Sequence, residues 1–415
     1  MHDRDEFYAF GEQVAMKMRK LSSPHAKFAV QNAINSILFE AEMGRFDNPA
    51  PPLFHHNPTA IYNTNLPLNM PPQFPPYFSP SPPIPASTNC LGVTVYKNNS
   101  ANTQEEIVKG CVTPQTIEDY NEDHFLGIRI AKQSIPNLKR GAVANFKGKF
   151  SITMEGNQID TIKKEAFFNL PGVRSISLLS NKIKWVESGA FSNLESLLYL
   201  NLEKNSIESF PPSTFSNLPK LERVDLSSNR LRFFKQEWFS GTPQLKVLEI
   251  AHNEIFEIRD DSFSTITSLK NLNFYGNRIE NLYPSAFVGL KELDLLNLGN
   301  NDIKDINLDF SSLKKLLLLQ LEGNNINYIS EKVLEDLRVL STLSIYANPI
   351  QCSCFDILMK WSVRNRIHVR SQCNQQLPVC VDAKSNFAKC IPRDDDDFYK
   401  TTPNFKSYLH MCRIY

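Results

Sequence analysis

Between Leu126 and Ile350 the apolar positions recur every 24 residues. Each period opens with apolar residues at alternate positions: Ile176/Leu178, Leu200/Leu202, Leu248/Ile250 and Leu296/Leu298. Alternation of that kind sends one set of side chains inward and the intervening set outward along a short strand. An asparagine follows at Asn157, Asn181, Asn205, Asn229, Asn253, Asn277, Asn301, Asn324 and Asn348. Two residues later stands an isoleucine at Ile159, Ile183, Ile207, Ile255, Ile279 and Ile303. A second series runs in phase: Phe167, Phe191, Phe215, Phe239, Phe263, Phe287, Phe310, then Leu334. Both series lose one residue at the same place, between Phe287 and Phe310 and between Asn301 and Asn324, so both belong to one repeating unit. A weaker turn precedes them. Leu126, Ile128, Ile130, Gln133, Ile135 and Val143 each fall 24 residues before Phe150, Ile152, Met154, Asn157, Ile159 and Phe167. That brings the count to ten turns, the first with Gln133 in the asparagine slot.

A unit of this length has room for one strand, one tight corner and one return path. At the corner the backbone leaves the ladder, and an asparagine amide can donate and accept for the groups stranded there. The phenylalanine fills the wider half of the turn. No turn can bury its core alone, so the array stands by stacking on its neighbours and needs caps. Over residues 126–350 this pattern resembles the leucine-rich repeat family. The resemblance implies an α/β solenoid, a horseshoe of about ten 24-residue turns with capped ends. It also implies that the outward strand positions form a concave ligand-binding face. The candidates there are Tyr199, Asn201, Glu203, Arg223, Asp225, Glu249, Asn271, Asn273, Tyr275, Asn297, Gln320 and Tyr346. Tyr and Arg are the side chains that most often anchor protein interfaces.

The cysteines flank the array and none lies within residues 112–351. Cys90 and Cys111 precede it; Cys352, Cys354, Cys373, Cys380, Cys390 and Cys412 follow it. Disulfide-stapled caps would give that distribution, and disulfides imply an oxidising compartment. A C-x-C step is a poor match to zinc-ligand spacings. Asn348-Pro349-Ile350-Gln351-Cys352-Ser353-Cys354, with Trp361 after it, resembles the C-terminal flanking cap of extracellular leucine-rich repeat proteins. Cys90 and Cys111 make the natural N-terminal pair, while the six later cysteines leave fifteen pairings open. Asn98, in Asn98-Asn99-Ser100, is a glycosylation candidate.

The N-terminal part reads differently. Phe7, Phe10, Val14, Met18 and Leu21 recur at helical spacing. Ser22-Ser23-Pro24 starts a second helix, whose stripe is Phe28, Ile34, Ile37, Leu38 and Ala41. The run from Glu6 to Leu21, with Phe28–Phe39, resembles the BESS motif of insect chromatin and transcription proteins. That resemblance implies self-association or regulator binding through residues 5–43, centred on Phe7, Phe10, Val14, Phe28, Ile34 and Leu38, and a nuclear location. Residues 47–88 hold 13 of the 26 prolines and Asp47 as their one charge, the composition of a disordered spacer. The expected division is a helical hairpin over 1–46, a linker over 47–88, an N-terminal cap over 89–125, repeats over 126–350, and a cysteine-rich cap and tail over 351–415.

A net charge of +1 creates no field that favours nucleic acid, so direct nucleic-acid contact is not expected. No stretch is apolar enough for a signal or membrane span. The sequence carries no G-x-S-x-G, phosphate loop, H-E-x-x-H or dinucleotide fingerprint. The expectation is therefore a non-enzymatic module, without cofactor, metal or small-molecule substrate, that binds a protein on its concave face. The cysteines place it outside the cell. The alternative is a nuclear adaptor acting through the BESS-like segment, as the absence of a signal sequence would suggest.

Overall fold

One short strand per turn, each set beside the last, builds the body of the chain. In the computed structural model the described residues are 93–99, 102–108, 110–117, 122, 126–370, 380–381 and 390–393. The helical pair over 5–43 and the linker over 47–88 lie outside them.

Strands β1 (Val93–Asn99) and β2 (Asn102–Val108) form an antiparallel hairpin. β1 also pairs antiparallel with β3 (Leu126–Ala131), the strand of the first turn. From β3 onward every pairing is parallel. The strands are β4 (Phe150–Glu155), β5 (Val173–Ser177), β6 (Tyr199–Asn201), β7 (Arg223–Asp225), β8 (Val247–Glu249), β9 (Asn271–Asn273), β10 (Leu295–Asn297), β11 (Leu318–Gln320) and β12 (Thr342–Ser344). β13 (His368–Arg370) comes from the segment after the repeats and adds an eleventh parallel strand against β12. Equivalent residues of successive turns face each other, as Tyr199↔Arg223↔Val247↔Asn271 shows. The register slips once, between Phe150 and Ser151 where β4 meets β5.

The inward residues of the strands are fully buried, among them Ile176, Leu200, Val224, Leu248, Leu272, Leu296, Leu319 and Leu343. Each asparagine then ties its own turn to the one before. Asn205 Nδ2 donates to Leu202 O at 3.0 Å and to Leu178 O of the preceding turn at 3.0 Å. Its Oδ1 accepts from Ile183 N, also of the preceding turn, at 3.0 Å. The same three contacts recur at Asn229, Asn253, Asn277, Asn301, Asn324 and Asn348.

The residue before each asparagine is left-handed in all ten turns: Lys132, Gly156, Ser180, Lys204, Ser228, His252, Gly276, Asn300, Gly323 and Ala347. The sequence shows this slot only as variable. The corner needs a positive φ there whatever the side chain, at a cost of about 1–2 kcal/mol for a residue with a Cβ.

The phenylalanines stack along the return side, with ring centroids 5.7 Å apart for Phe167–Phe191, 6.1 Å for Phe191–Phe215 and 5.1 Å for Phe215–Phe239. Between Phe239 and Phe263 the stack runs through Phe234, 6.1 Å from the first and 4.6 Å from the second. The return path uses two-residue strands such as Thr161–Ile162 and Trp185–Val186, and 3-10 turns such as Gln236–Phe239. In the last turn it becomes helix α1 (Glu331–Asp336), capped by Ser330, whose Oγ accepts from Val333 N at 3.3 Å.

Helix α2 (Cys352–Asn365) closes the C-terminal end and buries Cys354, Leu358 and Trp361 against the core. Disulfides join Cys352 to Cys380 and Cys354 to Cys390. Four of the six cysteines after the array are thereby paired; Cys373 and Cys412 lie outside the described residues. The second disulfide brings residues 390–393 back against the last turns. There Asn327 Nδ2 donates to Arg393 O at 2.8 Å and Gln351 Nε2 donates to Ile391 O at 2.6 Å. At the other end Cys111 is disulfide-bonded. Cys90, its expected partner, lies outside the described residues. Asn98 sits in β1, opposite Thr103 on one side and Gly127 on the other.

Candidate functional site: the outward face of the parallel sheet

In-register pairing of equivalent residues makes the outward side chains form rows across the strands. The first row runs through Tyr199, Arg223, Val247, Asn271, Leu295 and Leu318. The second is Asn201, Asp225, Glu249, Asn273, Asn297 and Gln320. The third lies two residues beyond: Glu203, Ser227, Ala251, Tyr275, Gly299, Glu322 and Tyr346. All twelve candidates named from the sequence fall in these rows.

The rows are not equivalent. In the second, the short amide and carboxylate side chains turn back onto their own strand ends. Asn201, Asp225, Asn273 and Asn297 each accept, through Oδ1, the backbone N–H two residues on, at 2.8, 2.8, 2.9 and 2.9 Å. Asn201 and Asp225 are buried as a result. The longer Glu249 reaches along the face instead. Its Oε2 accepts from Asn273 Nδ2 at 2.8 Å and its Oε1 lies 3.4 Å from Arg223 Nη2. Burial raises the Glu249 carboxyl above its ordinary range, and the neighbouring Asp225 adds to this; Arg223 and Asn273 oppose it. Tyr199, Arg223, Asn271, Tyr275, Gln320 and Tyr346 are half-buried.

The third row holds a second cluster that ranking by residue type passed over. Gly299 has an ordinary negative-side backbone and does not need to be glycine for its conformation. It needs space. A Cβ there would lie 2.7 Å from Glu322 Oε1 and 3.1 Å from Tyr275 Cδ2. The Glu322 carboxylate and the Tyr275 ring therefore meet over the Gly299 backbone. Glu322 is 4% exposed, and its Oε2 has no hydrogen-bond partner. Burial raises its carboxyl above the ordinary range. Tyr346 is the next residue in the row. Burial and the charge of Glu322 push its phenol up to about 12. On the other side the Tyr275 ring meets the imidazole of His252 edge-on, with centroids 5.4 Å apart. The signal in the sequence was a glycine at an outward position, where other turns carry Glu, Ser, Ala, Leu or Tyr.

Among the described residues of the three rows between β4 and β12 stand Glu155, Glu203, Asp225, Glu249 and Glu322, against Arg223; the second row gains Arg129 on β3 and Arg370 on β13.

The model of the leucine rich repeat family matches residues 151–207, 200–255 and 243–303. With the parallel sheet, the asparagine corners and the phenylalanine stack, this establishes the array as a leucine-rich repeat solenoid. No curated protein matches the chain. Similar solved structures include a TLR13–ssRNA13 complex, 25% identical, covering 53% of this chain and 32% of that chain with a TM-score of 0.49. Toll in the Drosophila Toll–Spatzle complex is 22% identical and covers 56% of this chain and 32% of that chain, with a TM-score of 0.50. Human 5T4, also described as Wnt-activated inhibitory factor 1 or trophoblast glycoprotein, is 18% identical and covers 59% of this chain and 84% of that chain, with a TM-score of 0.43. The match spans about a third of the TLR13 and Toll chains, 32% in each case. The Toll likeness is one of fold.

Proposed function

We propose that residues 88–415 are an extracellular, non-enzymatic module that binds a protein ligand on the outward face of its parallel sheet. The observation that carries this is the alignment of Tyr199, Arg223, Glu249, Asn271, Tyr275, Gln320 and Tyr346 in rows on one continuous face. Half-buried Tyr and Arg lose little side-chain freedom on contact, which is why they suit interface anchors. Five carboxylates against Arg129, Arg223 and Arg370 leave the face with a modest acidic excess, which favours a basic protein surface over a phosphate backbone. The disulfides Cys352–Cys380 and Cys354–Cys390 favour an oxidising compartment. In this reading the chain divides into the BESS-like segment 1–46, a spacer 47–88, an N-terminal cap 89–125, repeats 126–350 and a C-terminal cap 351–415. Residues 5–43 supply self-association or docking, and Asn98 carries a glycan.

The test is site-specific photo-crosslinking on intact cells. A photoreactive residue at Asn271 or Gln320 is expected to capture a protein, and the same group at Lys235 or Asn281 on the return side is not. Capture from the return side alone, or from neither side, would overturn the proposal. A nuclear adaptor acting through residues 5–43 would keep its cysteines reduced. Intact mass with and without reductant separates the two readings.

A further inference from the structure

We propose that the face carries, over Gly299, a subsite for a lysine or arginine side chain of the ligand, with Glu322 as counter-charge and Tyr275 and Tyr346 as its aromatic frame. This rests on the outward face being the binding surface, and it specifies the chemistry of one point on it.

Four observations converge. First, Gly299 is a glycine that its backbone conformation does not require; a Cβ there would push the Glu322 carboxyl aside and press on the Tyr275 ring. The unit conserves backbone geometry from turn to turn, so an outward glycine at negative φ is explained by what lies above it. Second, Glu322 Oε2 is a buried acceptor that no donor reaches in full hydrogen-bond geometry, although the Ser344 hydroxyl lies close enough to lower the carboxyl pKa. Leaving such an atom unpaired is costly in the free protein, and a ligand donor that reaches it recovers that cost. Third, Arg370 on β13 lies within electrostatic reach of both Glu322 and Tyr346, yet no ion pair joins it to Glu322 among the described residues. Glu322 thus has no direct salt-bridge partner among the described residues, although the charge of Arg370 already draws its carboxyl pKa down against burial. Fourth, two tyrosines adjoin the carboxylate, and the faces of aromatic rings attract ammonium and guanidinium groups.

The experiment uses the full chain, labelled with ¹³C in the tyrosine rings and followed by NMR. The probes are N-acetyl-lysine methylamide, N-acetyl-arginine methylamide and the neutral Nε-acetylated lysine derivative. The Tyr275 and Tyr346 signals, assigned from Tyr→Phe variants, are expected to move with the two cations and not with the neutral compound. Glu322→Gln, nearly isosteric, is expected to weaken the response about ten- to a hundredfold, the range of one hydrogen bond to a charged group. Gly299→Ala should abolish it by filling the floor, with cooperative melting confirming that each variant is folded. Equal shifts with the neutral compound, an unchanged response in Glu322→Gln, or no response to either cation would overturn the subsite. Crosslinking from Asn271 in that case would leave the binding face intact as a proposal and remove only its cation site.

Discussion

Replacing Asn253 by alanine tests the corner mechanism on which the solenoid depends. Asn253 Nδ2 donates to Leu226 O, Ile250 O and Ala251 O at 3.0, 3.1 and 3.2 Å, and its Oδ1 accepts from Leu231 N at 3.0 Å. The three carbonyls are doubly served. Leu226 O keeps Asn229 Nδ2, Ile250 O keeps Asn277 Nδ2, and Ala251 O keeps Ser228 N. Losing the redundant donors costs only about 0.5 kcal/mol each. The Leu231 N–H has no such reserve; removing Oδ1 leaves it buried without an acceptor, at about 1–3 kcal/mol. Asn253→Ala should therefore destabilise the array by roughly 2–4 kcal/mol in urea unfolding. The location matters as much as the size. Amide hydrogen exchange should accelerate most at Leu231, one turn upstream of the substitution, because the asparagine serves its predecessor. A loss below about 1 kcal/mol, or faster exchange confined to residues 253–255, would refute the reasoning.

Further outcomes follow from single features. Glu322 has a raised carboxyl pKa in the folded chain, so the fold binds a proton more tightly than the unfolded chain. Its contribution to stability is complete below the unfolded carboxylate pKa and is lost as pH rises through the higher folded value. Glu322→Gln should accordingly raise Tm at neutral pH, with the gain shrinking as pH falls into the carboxylate range; a pH-independent difference would contradict this. Phe234→Ala should open the ring stack between Phe239 and Phe263 and cost about 3 kcal/mol, as measured by chemical denaturation. Breaking Cys354–Cys390 by a Cys354→Ala/Cys390→Ala pair should cost about 2–4 kcal/mol and release the Ile391 and Arg393 contacts to Gln351 and Asn327, visible as faster exchange there.

The sequence by itself determined the repeat. Period, strand position, corner asparagine and ring stack are each imposed on every turn by the same local demand, so a single chain displays them many times over. The deletion between Asn301 and Asn324 and the weak first turn were legible for the same reason. Features that occur once were not. Phe234 enters the ring stack out of phase with the repeat, because the space between Phe239 and Phe263 exists only when their turns are stacked. One feature that recurs in every turn was hidden for a different reason: the left-handed residue at the corner leaves no mark in the sequence, since the corner imposes the conformation on Lys204, His252 and Ala347 as readily as on Gly276. Likewise the sequence placed Asn201, Asp225, Asn273 and Asn297 outward, but only the tertiary structure shows their side chains returning to the backbone at 2.8–2.9 Å. Glu322 over Gly299 needs two turns at once: a strand position is written in one repeat, whereas a contact across the face belongs to a pair of repeats. That is the physical division here. Periodic local geometry is encoded residue by residue, while disulfide partners, the interruption of the ring stack and the chemistry of the face depend on which turns come to lie side by side.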